Sequence, residues 1–315
     1  MQEYIIAISN IKGVGGAFFK KNISIFRGDK LNVDILQSKD DRINQETLSE
    51  NLYHARRCIQ ECKSLNIKII TIIDEEYPPK LLEINDPPPV LFAKGNLSLL
   101  NMNVISIIGT RKSSELGNRI ASKIGTYFSS GNAICNGLVD GIDKHSILNK
   151  DKIAPNVIGV LSGGLNFEYT SSKSTRQLAS LVISNNGLLI SEVEPNKKED
   201  QFSGSKSSRI QSGLSSALIL VQSTIDGGSK YTVKTFCSLY RPMGIVKYIA
   251  SEEFNNDESF GANRLIIKKG IVGVAEFCGY KTTKAICISD IVPISSTDDY
   301  QKLLDKICMS SPRFF

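Results

Sequence analysis

Between residues 103 and 270, short apolar runs return at a near-regular interval, and that rhythm narrows the available folds more than any other feature. The runs are VISII, AIC, VIGVL, LLIS, ALILV and IVKYIA, with helix-like segments between most of them. Strands that are apolar on both faces, joined by crossover helices, build a parallel sheet covered on both sides. The pattern predicts an α/β chain with a Rossmann-like, doubly wound, mostly parallel sheet. The opening unit, Asn103 to Gly131, shows the logic residue by residue. An apolar strand meets a sharp turn at Gly109, and then Leu116, Ile120, Ile124 and Tyr127 or Phe128 recur at three- to four-residue spacing. Ser113 and Ser114 offer caps at one end of that helix and Gly131 stops the other.

The flanks follow other rules. Residues 1–73 read as a small helical domain, with IKIITIID as a short strand closing it. Residues 74–102 hold five of the ten prolines, which excludes a long helix and predicts an extended linker crossing a neighbouring surface. Residues 271–315 form a C-terminal extension in which DDYQKLLDKICM reads as one helix. The formal charge of +6 is mildly basic and favours a polyanionic partner only weakly. Seven scattered cysteines without a CxxC pair point to free thiols in a reducing compartment. Cys58 and Cys62 share a helix face with only His54 nearby, too few ligands for a metal. No apolar run reaches membrane-spanning length, and no basic segment precedes the first one, so a cytoplasmic protein without membrane contact is expected.

Four loops leave the carboxyl ends of predicted strands, where open α/β sheets bind ligands. In the first, Gly109, Thr110, Arg111 and Lys112 join a tight turn to a helix N-terminus, which suits an anion. Arg111 either holds a phosphate through its fork or pairs with a neighbouring carboxylate. The second, CNGLVDGIDKHS, places Asp143 as the cap of the helix that starts there. The third carries Gly163 and Gly164, which allow a ligand backbone close, with Lys173 and Arg176 a short reach beyond. A solvated helix face explains those two charges equally well. In the fourth, Gly228, Ser229 and Lys230 open a helix, with Ser229 read as its cap or as an anion contact. The dinucleotide fingerprint GxGxxG is missing from the first turn, and neither GxSxG nor HExxH occurs. The histidines are His54 and His145 alone, so no enzyme, cofactor or metal is expected.

In order, these loops resemble the DprA/Smf family of DNA-processing proteins over residues 77–270. YPPKLLEINDPPPVLFAKGN is similar to the family's lead-in, IIGTRKSSELG to IVGTRxxSxYG, NGLVDGID to SGLAxGID and VLSGGLNFEY to VLGxGLDxxYP. LLISEVEP is similar to LISEYPP, SSRIQSGLS stands where RNRIIAGLS is usual, GGSKYT where SGSLIT is usual, and FGANRLIIKKG where GxNxLIxxGA is usual. The resemblance implies a non-enzymatic homodimer that binds single-stranded DNA and loads a RecA-type recombinase in DNA uptake and recombination. It makes Arg111 the phosphate-contacting arginine and Lys173 the nearest match to a DNA-contacting lysine. It also implies that the N-terminal domain is SAM- or helix-hairpin-helix-like, with Gly13, Val14 and Gly15 in a turn that meets phosphate or simply joins two helices.

Departures from the family pattern are specific. Ile147 stands where a histidine is usual, Thr170 replaces a proline, and Ser207 and Ser208 leave Arg209 as the remaining basic residue of RNRI. The VPG turn and the winged-helix domain are not recognisable. Tyr169 and Phe202 lie in loops where they either stack on bases or pack as lids. A nucleotide-derived-ligand sensor without turnover is the alternative reading, since related phosphoribohydrolases share such a sheet. Their PGGxGTxxE motif is not matched, because Val233 and Lys234 occupy the region of its glutamate. A scaffold that binds protein alone is the third.

Overall fold

The structure is a computed structural model and describes residues 1–310 except 29, 151, 201, 202 and 249. Its strands are β1 (Lys68–Thr71), β2 (Val90–Gly95), β3 (Val104–Gly109), β4 (Ala133–Asn136), β5 (Leu148–Asn149) and β6 (Lys152–Ile153). They continue with β7 (Val157–Val160), β8 (Leu188–Ser191), β9 (Ala217–Gln222), β10 (Met243–Val246) and β11 (Ile291–Ile294). β5 and β6 make a small hairpin, and the others form a nine-stranded sheet in the order β1-β2-β8-β7-β4-β3-β9-β10-β11. From β8 to β11 every neighbouring pair is parallel. The Rossmann-like, mostly parallel sheet expected from the apolar rhythm is present.

The central strands are apolar on both faces because helices cover both. Alternate residues of β9 point to opposite sides: Ile219 and Val221 join one core cluster, Leu218 and Leu220 the other. The second cluster lies under helices Ser229–Phe236, Gly261–Lys269 and Ile271–Cys278, through Val233, Phe236, Ile266, Val274 and Phe277. Helix Glu115–Phe128 buries Leu116, Ala121, Ile124 and Phe128, while Ile120 is half-buried; Ser114 caps it by accepting the Gly117 N–H at 3.1 Å.

Two expectations about the flanks are corrected. IKIITIID does not close the N-terminal domain; it supplies β1, antiparallel to β2. The stretch 74–102 is not a linker outside the sheet, since β2 pairs antiparallel with β8. Its prolines fall in the connection before β2, where no ladder N–H is required, so they do not betray the strand. The C-terminal extension supplies β11, parallel to β10, and then the expected helix, Asp298–Ser310.

The N-terminal segment is helical. Helix Gln2–Ser9 buries Ile5, Ile6, Ala7 and Ile8, and packs on helix Gln45–Ser64, which starts with a capping box between Asn44 and Thr47. Phe19 and Phe26 stack at 4.7 Å between ring centroids. Its buried residues belong to the same core cluster as the strands of the sheet. No disulfide forms among the described residues; five cysteines are buried, while Cys287 and Cys308 are exposed.

Candidate nucleic-acid interface

From β3 the chain winds outward through β4, β7 and β8, then returns to the other side of β3 for β9, β10 and β11. The strand order therefore reverses between β3 and β9, and a crevice opens at their carboxyl ends. The loops that leave those two ends carry Arg111 and Ser229. They border a cleft of about 380 Å³ lined also by Lys112, Asp143 and residues of helix Ser203–Leu214.

The Gly109–Ser114 turn is held from below by Gln222, the last residue of β9. Its backbone carbonyl accepts the Thr110 N–H at 2.8 Å, and its fully buried side chain accepts the Ser114 N–H at 3.0 Å. The same side chain donates to Ser114 Oγ at 3.0 Å and Ser259 Oγ at 2.6 Å. Gly141 brings the next loop against the turn. Its φ is +82° and an added Cβ would lie 2.2 Å from the Thr110 carbonyl oxygen, so only glycine fits. Arg111 and Lys112 are exposed on this clamped turn, and neither has an ion pair among the described residues. Of the two roles open to Arg111, pairing with a carboxylate is not the one seen.

Asp143 differs from expectation. It stands in the first turn of helix Ile142–Ile147, whose N-cap Gly141 makes no side-chain cap. The carboxylate instead accepts the Gly137 N–H at 2.9 Å, and the Val139 amide donates to it as well. It is a brace for the preceding loop. Burial pushes its pKa up to about 7, against the pull of those amides and of Arg111. His145, two residues on, lines a different depression beside the β5–β6 hairpin.

The remaining expected residues separate. Gly109, Thr110, Arg111, Lys112, Gly228 and Ser229 come together at the cleft. Lys230 lines not the cleft but a depression with Asp226, Lys234 and Glu276. Arg209 is diverted. Its guanidinium grips Glu192 at 2.5 and 2.6 Å and Asp86 at 3.4 Å, with only 16% of the side chain exposed. It lines a separate depression with Asp86 and Glu192, and not the cleft. Lys173 and Arg176 line a separate shallow groove on helix Lys173–Ser184, where Arg176 donates to the Glu168 carbonyl at 3.1 Å. Gly163 and Gly164 admit protein, not ligand: a Cβ on Gly164 would lie 2.0 Å from the Glu194 carbonyl oxygen. Tyr169 is exposed, with Lys198 Nζ 4.5 Å from its ring centroid, and Phe202 lies outside the described residues.

Sequence reasoning passes over three residues of the cleft, Ser207, Ser208 and Gln211, and the half-exposed Tyr231 at its mouth. The signal for the first three is the departure from RNRIIAG, whose altered positions fall on one helix face.

The family model described as DNA recombination-mediator protein A matches residues 68–276. DNA processing protein DprA of Bacillus subtilis (strain 168) is 34% identical over 178 residues, 56% of this chain and 59% of that protein. The chain thus spans less than two thirds of that relative's length. Among solved structures, DNA processing protein A of Streptococcus pneumoniae superposes with a TM-score of 0.75 at 20% identity, covering 96% of this chain and 98% of its own. A Helicobacter pylori DNA processing protein A, described for its unique single-stranded DNA binding mode, gives a TM-score of 0.55 at 22% identity over 68% of this chain and 94% of its own.

Proposed function

The chain belongs to the DNA recombination-mediator protein A family, and we propose that it binds single-stranded DNA through phosphate, without sequence preference, at the crevice between β3 and β9. The observation that carries this reading is the pair of exposed cations, Arg111 and Lys112, neither in a direct ion pair among the described residues, on a turn fixed by Gln222 beside the open start of helix Ser229–Phe236. Fixed donors and charge at a helix N-terminus attract phosphate oxygens, and such contacts carry no base preference. The role is DNA processing and recombination in the cytoplasm, with a RecA-type recombinase as protein partner and a homodimer as the working form. It requires no catalytic step. A fluorescence-anisotropy titration with oligothymidine across a salt series tests it: binding that weakens steeply with salt supports the reading, and absence of binding at low salt overturns it.

A further inference from the structure

Ser207, Ser208 and Gln211 stand where RNRIIAG has arginine, asparagine and isoleucine, and all three line the cleft. Two shorter side chains open space, and an amide replaces an apolar group. The Gln211 side-chain amide makes no hydrogen bond among the described residues, although the residue is only 6% exposed. Across the cleft, Ser229 is 7% exposed and its Oγ has no partner among the described residues. The amides of Gly228 and Ser229 donate to no backbone carbonyl of those residues. A buried polar atom in a folded protein is normally satisfied, so the unpartnered Ser229 Oγ, with the Gln211 amide lining the same cleft, points to a ligand. The volume of about 380 Å³ lies at the low end of small-molecule sites, roughly 300–1,000 Å³. That holds about one nucleotide, so of a bound strand a single residue enters the cleft.

We propose that this cleft binds a single nucleotide carrying a phosphomonoester. The monoester sits against Arg111, Lys112 and the start of helix Ser229–Phe236, and the nucleoside meets Gln211 and Ser208 under the ring of Tyr231. The donors around the phosphate position outnumber what the two free oxygens of a diester use; a monoester offers three terminal oxygens and a second charge. The shared chemistry has two sources, the 5′-phosphorylated end of a strand and a free mononucleotide. The inference rests on the reading that the crevice takes nucleic-acid phosphate, and adds that the phosphate in the cleft is a terminal one.

The test compares 3′-fluorescein oligothymidine bearing a 5′-phosphate with the same strand bearing a 5′-hydroxyl, and adds dTMP as competitor and in a thermal-shift assay. The expected result is about tenfold tighter binding of the phosphorylated end. Ser229→Ala and Gln211→Leu each bring the ratio of the two affinities towards one. Competition by dTMP and a raised melting temperature without end preference assign the site to the free nucleotide. Equal affinities for both ends, with no dTMP competition or thermal shift, overturn the proposal while strand binding stands. Absence of strand binding with a dTMP thermal shift keeps the site and removes the strand-binding reading.

Discussion

The Asp86 carboxylate accepts the backbone N–H of Ala17 at 3.0 Å, so the anion at the first turn of helix Gly16–Lys21 belongs to this chain. The sequence allows the Gly13–Gly15 turn either to meet a nucleic-acid phosphate or to join two helices. In the fold it docks the N-terminal helices on the 83–87 loop, where Lys20 Nζ also donates to the Ile84 carbonyl at 2.9 Å. A Cβ on Gly16 would lie 1.8 Å from the Pro87 carbonyl oxygen. Gly16→Ala is therefore expected to cost about 1–3 kcal/mol through overpacking. The melting temperature falls, while oligothymidine affinity measured well below the transition holds.

Arg111 and Arg209 are both arginines of DNA-binding-like motifs with opposite expected behaviour. Arg111→Ala is predicted to weaken binding to strands of any sequence and to reduce the salt slope by about 0.7, the share of one neutralised phosphate on a single strand. Arg209→Ala leaves Glu192 facing an emptied pocket and is predicted to destabilise the fold by about 3–5 kcal/mol. Denaturant titration and salt-dependent anisotropy on both variants separate the two roles.

Asp143 gives the cleft a pH dependence. Its folded pKa, about 7, lies above the ordinary carboxylate value because the group is buried. The stability it contributes is fully present below about pH 4 and is lost as pH rises through about 7. Above that point a negative charge also faces the phosphate, with Arg111 as the cation opposing it. Affinity for a 5′-hydroxyl strand is expected to fall about fivefold, or ~1 kcal/mol, between pH 6 and 8. Asp143→Asn, which keeps an acceptor for the Gly137 N–H, flattens both profiles.

Arg241 is a structural clamp that no motif announces. It donates to the carbonyls of Gly213 at 2.9 Å and Ser215 at 2.5 Å, which end helix Ser203–Leu214, and to Glu83 at 2.7 Å. It is 6% exposed. Arg241→Ala strips partners from those buried carbonyls and is expected to cost about 2–4 kcal/mol, read as a lower denaturation midpoint. Lysine restores only part, because a point charge cannot fork across several acceptors.

Such residues mark how far the chain itself is legible. The parallel strands can be read because burial on both faces writes an unbroken apolar run, as in Ile105–Ile108 and Ala217–Val221. Arg111 can be read because its environment is local, a turn and the helix that follows. Arg209 cannot, since the groups that claim it lie 17 and 123 residues away. The same holds for Gly164, whose close neighbour is the 194–195 backbone; Asp143 is misread for another reason, since its local partners lie in the preceding loop and not at the helix start. β2 escapes notice because prolines crowd its approach while the strand itself contains none.

Pro293 decides how the sheet ends. The carbonyls of Asp290 and Ile294 accept from Met243 and Lys247, both at 2.8 Å, so the even-numbered residues of β11 face β10 and Pro293 turns its nitrogen outward. A second chain arriving along that border finds one rung without a donor. Assembly on this flank must then proceed by side-chain complementarity, and a continuous intermolecular ladder, with the fibre growth it invites, is blocked at the last strand.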